Sequence, residues 1–119
     1  MKIKVKVTIE NNDGKDEQIY NAIYIKEKDI IKYKENDKTN VTLNKKDNIL
    51  IRENDVMYME YHFEKNHVTD GILVLKDIDK EFLLITKTIS INNKENFYKV
   101  SYKLVETKDI FTYTLEVEE

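Results

Sequence analysis

The residues that could do chemistry begin with carboxylates and imidazoles in the middle of the chain. Glu60, His62 and Glu64 are spaced two residues apart, and His67 follows three residues after Glu64. On a β-strand this spacing puts the first three side chains on one face, where carboxylate and imidazole groups together can hold a metal ion. Mixed Glu and His side chains are also ordinary on a solvated strand face, and the chain has only two histidines. We therefore expect no metal site here, and no zinc, haem, flavin or other cofactor elsewhere.

Arg52 is the other residue with distinctive chemistry, because it is the single arginine in a chain whose other 19 basic residues are lysines. A guanidinium offers a planar fork of donors that lysine cannot reproduce. Three explanations stay open. The residue is an accident of codon use, it pairs with a carboxylate of the fold such as Glu35, or it receives the anionic group of a ligand.

The sequence lacks the motifs of common enzyme classes. It has no cysteine, and its two glycines, Gly14 and Gly71, cannot build a phosphate-binding loop. Pairs of carboxylates exist, but 23 acidic residues in a chain of 119 produce pairs by chance. We predict no catalytic residue.

Composition and charge bear on the partners. The chain is 40% hydrophobic and 36% charged, as in globular proteins, and its net charge of −3 comes from interspersed acids and bases. This mixed surface gives no electrostatic footprint for a nucleic acid. No apolar run is long enough to cross a bilayer and no signal-peptide core is present, so we expect no membrane association and a cytoplasmic protein. We also expect a monomer or a weak homodimer.

The elements that must position these residues are short strands. The stretch KIKVKVTIE places Ile3, Val5, Val7 and Ile9 on one face, which is the period of a half-buried strand. Asp13-Gly14 then marks a tight hairpin. Further strands are predicted at 17–26, 29–35, around Val41 and Leu43, and at 48–53, 56–63, 71–77, 81–91, 97–105 and 110–117. KDIDKE is the one candidate for a helical turn, and we do not favour it.

Turn residues recur at intervals of about ten residues, which is typical of an all-β sandwich or barrel. Open sheets of this many strands would expose edges, and closing the sheet removes them. We therefore predict one domain, 1–119, folded as a closed antiparallel up-and-down β-barrel of about eight to ten strands. The residues expected to be mostly buried are Ile3, Val5, Val7, Ile9, Tyr98, Val100, Leu104, Leu115 and Val117.

The stretch VMYMEYHF has one apolar face. Met57, Met59, Tyr61 and Phe63 alternate along it, and we expect them to point inward. A packed core is the favoured interpretation of this face. The alternative is the lining of a ligand cavity, for which flexible methionine side chains are also suited.

The order of several short motifs resembles the YwiB-like family of small bacterial proteins. The motifs are Tyr33-x-Glu35, Ile51-Arg52-x-Asn54, Met59 with Phe63, and Tyr102-x-Leu104, within a span from about Ala22 to the C-terminus. The resemblance implies a calycin-like or lipocalin-like barrel and no particular reaction, because the family has no established function. Asn54 stands where the family usually has Gly, which predicts a positive φ. LKDIDKE replaces a Thr-Pro-Gly-like turn before the long eighth strand.

Three functional hypotheses follow. The favoured one is a non-catalytic barrel that binds a small, partly apolar molecule in or at the barrel mouth. Its candidate ligand-binding residues are Arg52, Met59, Phe63, Tyr102, Tyr33 and Glu35. The second is a solid-core structural or interaction module that binds a protein partner, and an enzyme is the third. A cavity would separate the first from the second, and a convergent polar cluster inside it would favour the third.

Overall fold

The computed structural model describes residues 1–118 and is built almost entirely from ten β-strands. They are β1 (Lys2–Asn11), β2 (Gly14–Ile25), β3 (Ile30–Lys34), β4 (Asn40–Asn44), β5 (Ile49–Glu53), β6 (Met57–His62), β7 (Val68–Leu75), β8 (Lys80–Lys94), β9 (Phe97–Leu104) and β10 (Ile110–Glu118). The predicted number and order of strands are confirmed. Differences are small and lie at strand ends: β7 begins three residues earlier than predicted, at Val68 instead of Gly71.

The strands form one closed sheet in which each strand pairs with its neighbours in sequence. The order around the barrel is β1-β10-β9-β8-β7-β6-β5-β4-β3-β2, and every pairing is antiparallel, including the β1–β10 pairing that closes the sheet. The predicted closed up-and-down barrel is therefore confirmed. Closure leaves no edge strand unpaired. Because unpaired edges invite pairing with other chains, a sheet of so many consecutive hairpins is expected to close.

Alternation along the strands decides which side chains fill the barrel. Val5 and Val7 of β1 are buried, with Tyr98 and Val100 of β9 and Leu115 of β10. The other residues predicted as core are half-buried and pack against this cluster: Ile3, Ile9, Leu104 and Val117. The outward positions of β2, by contrast, expose apolar side chains, since Ile19 and Ile23 are 62% and 53% accessible.

The turns divide between the two ends of the barrel. One end carries the β1–β2, β3–β4, β5–β6, β7–β8 and β9–β10 turns, and we call it the Arg52 end because Arg52 lies one residue before the last residue of β5. The opposite end carries the remaining turns, including the β4–β5 turn with Lys45, and we call it the Lys45 end.

The turn between β7 and β8 corrects one expectation. KDIDKE does hold a helical turn, a short 3-10 segment over Lys76–Ile78, and Asp79 follows it in the left-handed region with φ 49°. A left-handed residue ends this turn and returns the chain into β8, as glycine or asparagine often does. Within residues 1–118 no helix has the length and hydropathy that a membrane span requires.

Candidate functional site

The acidic and imidazole side chains of β6 lie on the outer face of the barrel as a hydrogen-bonded chain. The Tyr58 hydroxyl donates to Glu60 Oε1 at 2.5 Å, and His62 Nε2 lies 2.5 Å from Glu60 Oε2. The hydrogen bond from Tyr58 is the main cause that holds the pKa of the Glu60 carboxyl below its usual range, and His62 adds to it. Burial, followed by the bond to Glu60, raises the pKa of Tyr58 to about 12.

The remaining members of the possible metal cluster lie apart from this chain. His67 and Glu64 face each other in the β6–β7 turn at 3.8 Å, and His67 Nδ1 also lies 2.8 Å from the Lys65 carbonyl oxygen. No group of three or more potential ligands in residues 1–118 is arranged to hold a metal ion. Glu60 and His62 therefore belong to the hydrogen-bonded chain with Tyr58, whereas Glu64 and His67 form a separate pair in the β6–β7 turn.

Arg52 pairs with Glu35 inside the Arg52 end. Arg52 lies on the inward face of β5, where its register partners are Val41 of β4 and Met59 of β6. Its Nη2 donates to Glu35 Oε1 at 2.5 Å, and the two side chains are 27% and 11% accessible. The proposed pairing with Glu35 is therefore confirmed. The contact is a single hydrogen bond from Nη2, so the guanidinium does not engage Glu35 as a two-pronged fork.

The guanidinium is incompletely satisfied. Burial alone would lower the pKa of Arg52, but the hydrogen bond and charge of Glu35 raise it above the usual value. Arg52 Nε is inaccessible to solvent and has no hydrogen-bond partner among the described residues. Buried donors are normally paired, because an unpaired one costs about 1–3 kcal/mol. Nε is therefore a buried donor without an acceptor, and an acceptor could reach it only if the neighbouring side chains moved.

Tyrosine side chains surround this ion pair. The Tyr33 and Tyr113 hydroxyls share a hydrogen bond of 2.8 Å, and Tyr20 stacks on Tyr33 with ring centroids 5.1 Å apart. Burial is the main cause that raises the pKa of Tyr33 and Tyr113, and the charge of Arg52 opposes it in both. The charge of Arg52 likewise opposes the rise in the pKa of Tyr20, Tyr61 and Tyr102.

Met59, Phe63 and Tyr102 belong to an aromatic cluster next to Arg52. Phe63 and Tyr102 are buried, at 4% and 8% accessibility, and their ring centroids lie 5.0 Å apart. Tyr61 connects them to the ion-pair region: its ring lies 5.5 Å from Tyr102, and its hydroxyl donates to Met59 Sδ at 3.8 Å. The inward orientation predicted for this face of β6 is confirmed, and the rings pack against one another.

Five of the six sequence-predicted residues lie toward the Arg52 end. Phe63 follows β6 at the opposite end of that strand, where its N–H donates to the Asn48 carbonyl oxygen, and it joins the cluster through Tyr61 and Tyr102. The structure adds Tyr20, Tyr61 and Tyr113, which sequence reasoning did not single out as site residues. Each of the three lies at an inward position of an alternating strand, and that pattern was visible in the sequence. What the pattern could not show is that these faces converge on Arg52.

Asn54 corrects the expectation of a positive φ. It is absent from the residues with positive φ, which include Lys38 and Asn48 in neighbouring turns. Instead its side-chain oxygen accepts hydrogen bonds from the backbone N–H groups of Val56 and Met57, at 2.9 and 3.0 Å. Its amide donates to the hydroxyl of the buried Thr39 at 3.1 Å. Asparagine therefore shapes the β5–β6 turn through its side chain, as Asx turns do.

Two concave regions lie away from this cluster. A groove of 1040 Å³ runs over the outer face of β1–β4, among Lys2, Lys4, Lys32 and Lys34. A pocket of 620 Å³ opens at the Lys45 end. Among the predicted site residues, only Tyr33 lines either region, in the outer groove.

The fold and this interior define the protein as a closed ten-stranded antiparallel barrel with a tyrosine-lined ion pair at one end. Comparison with solved structures finds the same fold in the crystal structure of the YwiB protein from Bacillus subtilis. The TM-score is 0.61 and the identity 19%, over 99% of this chain and 91% of that chain. The resemblance inferred from sequence motifs is therefore confirmed at the level of the fold. No protein-family model and no curated protein matches the sequence.

Proposed function

We propose that this barrel is a non-catalytic binding module for a small, partly apolar molecule that carries a hydrogen-bond acceptor such as a carboxylate. The molecule would bind at the mouth of the Arg52 end. The observation that carries the proposal is the Nε donor of Arg52, which is buried beside Glu35 and lacks an acceptor. A carboxylate or carbonyl oxygen at that atom would remove the cost of an unpaired donor.

The surroundings of Arg52 support recognition in preference to proton transfer. The raised pKa values of Tyr33, Tyr61 and Tyr113 keep these phenols protonated, so they can donate and accept hydrogen bonds but do not act as bases near neutral pH. Apolar rings next to them would contact the rest of the ligand. The relation to calycin and lipocalin barrels stays a prediction.

A matched pair of probes tests this proposal. Octanoate and octanol share a chain of the same length, and only octanoate carries the acceptor for Arg52. We expect octanoate to raise the thermal unfolding midpoint, octanol to raise it less, and Arg52→Lys to reduce the difference. Lys34→Met, at an exposed position on β3, is the control and should retain the wild-type response. Equal effects of the two probes, or an unchanged response in Arg52→Lys, would refute the proposal.

A second candidate function is an interaction module that docks on a protein, and the outer face of β7 and β8 favours it. Leu83 is 63% accessible there and pairs with the half-buried Ile72 on the same outer face, while Val68, 57% accessible, lies at the far end of β7 opposite Lys87. Exposed apolar side chains that adjoin one another often mark an interface. Concentration-dependent mass measured by light scattering, lost in Leu83→Asp, would support self-association through this face.

A further inference from the structure

Lys45 is unlike every other lysine of the barrel. Within residues 1–118 it is the one buried charged residue, at 6% accessibility. It lies in the β4–β5 turn, at the end of the barrel opposite to the Arg52–Glu35 pair. Burying an ammonium is unfavourable unless acceptors replace the water it loses.

The protein supplies Lys45 with less than a full set of partners. Its Nζ donates to the backbone carbonyl oxygen of Lys94 at 2.7 Å, and this is its one hydrogen bond within the described residues. None of the ion pairs within residues 1–118 involves Lys45. An ammonium has three donors, so it retains capacity for an anionic partner.

Lys45 also lines the pocket of 620 Å³ at this end of the barrel. Part of the pocket wall is apolar and includes Ile3, Ile31 and Val117. Met1 also lines the pocket, and its N-terminal ammonium donates to the Tyr24 carbonyl oxygen at 3.1 Å. The polar part is held in place by the fold: Asn93 Nδ2 donates to the Lys45 carbonyl oxygen at 2.7 Å, and the Tyr24 hydroxyl donates to Asp29 at 3.1 Å. The acidic lining residues are Asp29 and Glu95, and the other lysines are Lys26 and Lys94. An apolar wall beside a fixed, partly satisfied cation suits a small organic anion.

We infer that the pocket at the Lys45 end is a binding site for a small organic carboxylate, with the Lys45 ammonium as its charge partner. The carboxylate would accept from the remaining Nζ donors, and its apolar body would lie against Ile3, Ile31 and Val117. This site is separate from the one proposed at Arg52, because the two cations lie at opposite ends of the barrel.

The experiment uses para-trifluoromethylbenzoate as the probe, with para-trifluoromethylbenzyl alcohol as its neutral counterpart, followed by fluorine NMR on the full chain. We expect the benzoate to bind and the alcohol to bind at least about tenfold more weakly, as loss of a charged hydrogen bond predicts. Lys45→Met should weaken benzoate binding by a similar factor. Methionine has nearly the same length and suits a buried position, so the variant should fold.

Lys46→Met is the matched control, since it removes the same charge at the exposed neighbouring position. It should bind the benzoate as the wild type does. In Arg52→Lys the response at the Lys45 end should persist, because the two sites are separate. Backbone amide chemical shifts of the wild-type protein give a second measurement that needs no variant. The changes in amide chemical shift that the benzoate causes should be largest at Lys45, Asn96 and Val117.

Loss of benzoate binding in Arg52→Lys but not in Lys45→Met would overturn this inference while supporting the function proposed at the Arg52 end. Equal binding of the alcohol, no binding of either probe, or shifts confined to the outer groove would also overturn it. Loss of benzoate binding in Lys45→Met, with binding kept in Lys46→Met and the response at the Lys45 end kept in Arg52→Lys, would support the inference. Loss of that response in both Lys45→Met and Arg52→Lys would overturn it.

Discussion

At the scale of single residues, the Arg52–Glu35 pair makes each partner dependent on the other. Glu35 is 11% accessible and Arg52 27%, so removing either side chain leaves the other charge largely withdrawn from water. An uncompensated charge in that position is strongly unfavourable. The pair is also held in a defined geometry, because Glu35 directly follows β3 and its N–H donates to the Thr39 carbonyl oxygen at 2.8 Å.

Arg52→Lys should lower the free energy of unfolding by about 1–3 kcal/mol, because the shorter lysine keeps the charge but does not place a donor where Nη2 bonds to Glu35. Urea denaturation followed by circular dichroism measures this. Lys32→Arg, at an exposed position on β3, is the control and should change stability by less than about 0.5 kcal/mol. If Arg52→Lys is as stable as the wild type, the guanidinium contributes nothing to folding that an ammonium does not, and codon use is the better explanation of the single arginine.

Phe63→Ala should cost about 3–5 kcal/mol, since the ring is buried and removing it leaves a cavity between neighbours that cannot fully collapse. Its centroid lies 5.9 Å from that of Tyr61 and 5.0 Å from that of Tyr102. Phe82→Ala is the comparison, because Phe82 is 45% accessible and should cost much less. A cost below about 1 kcal/mol for Phe63→Ala would contradict the assignment of this side chain to the core.

At the scale of elements, the pairing of β6 with β7 depends on a position without a side chain. Gly71 lies in β7 opposite Leu84 of β8, and next to Ile72, whose partner in β6 is Glu60. A Cβ built at Gly71 would overlap the backbone carbonyl oxygen of Glu60. Backbone atoms cannot rotate away as a side chain can, so this glycine is required by a close approach.

Gly71→Ala should therefore destabilise the barrel by about 1–3 kcal/mol, the usual cost of overpacking. The sign of the change in unfolding free energy is informative, because replacing glycine by alanine stabilises a protein by about 0.4–1 kcal/mol where the backbone tolerates alanine. Thermal and urea unfolding measure the change, and Asp70→Ala at the exposed preceding position is the control. A neutral or stabilising Gly71→Ala would show that β6 and β7 separate at little cost.

At the scale of the whole molecule, the tyrosines make the folded state sensitive to alkali. All eight have a pKa above the usual value, and burial is the largest cause in each. A raised pKa in the folded state means that folding favours the neutral phenol. The stability this contributes is fully present below the unfolded value of about 10 and is lost as the pH rises through the folded values.

We accordingly expect the unfolding free energy to fall steeply above about pH 10, and the phenolate absorbance to appear together with the loss of β-sheet circular dichroism. Tyr58, whose pKa is about 12, should ionise in the folded state before the deeply buried Tyr113 does. Tyr113→Phe removes one such group and should reduce the pH dependence in this range. Phenolate absorbance that develops fully near pH 10 while the sheet stays intact would contradict the expectation.

The sequence by itself determined the strands, their inward faces and the closed meander. Period-2 alternation is local, so Val5 and Val7 of β1 could be assigned to the core without knowledge of their neighbours. It also determined that Arg52 needed a special explanation, and Glu35 could be named because both residues come at strand ends that short hairpins bring to the same end of the barrel.

Only the tertiary structure decided which faces meet across the barrel. Alternation gives the direction of a side chain but not the register and closure of ten strands, and these bring Tyr33 within hydrogen-bonding distance of Tyr113, 80 residues away. The same holds for Lys45. Nothing local distinguishes it from Lys46, and it is buried because the β8–β9 hairpin lies against its turn and supplies the Lys94 carbonyl oxygen. Contacts between residues distant in sequence depend on how the sheet closes, and a pattern within one strand carries no information about that.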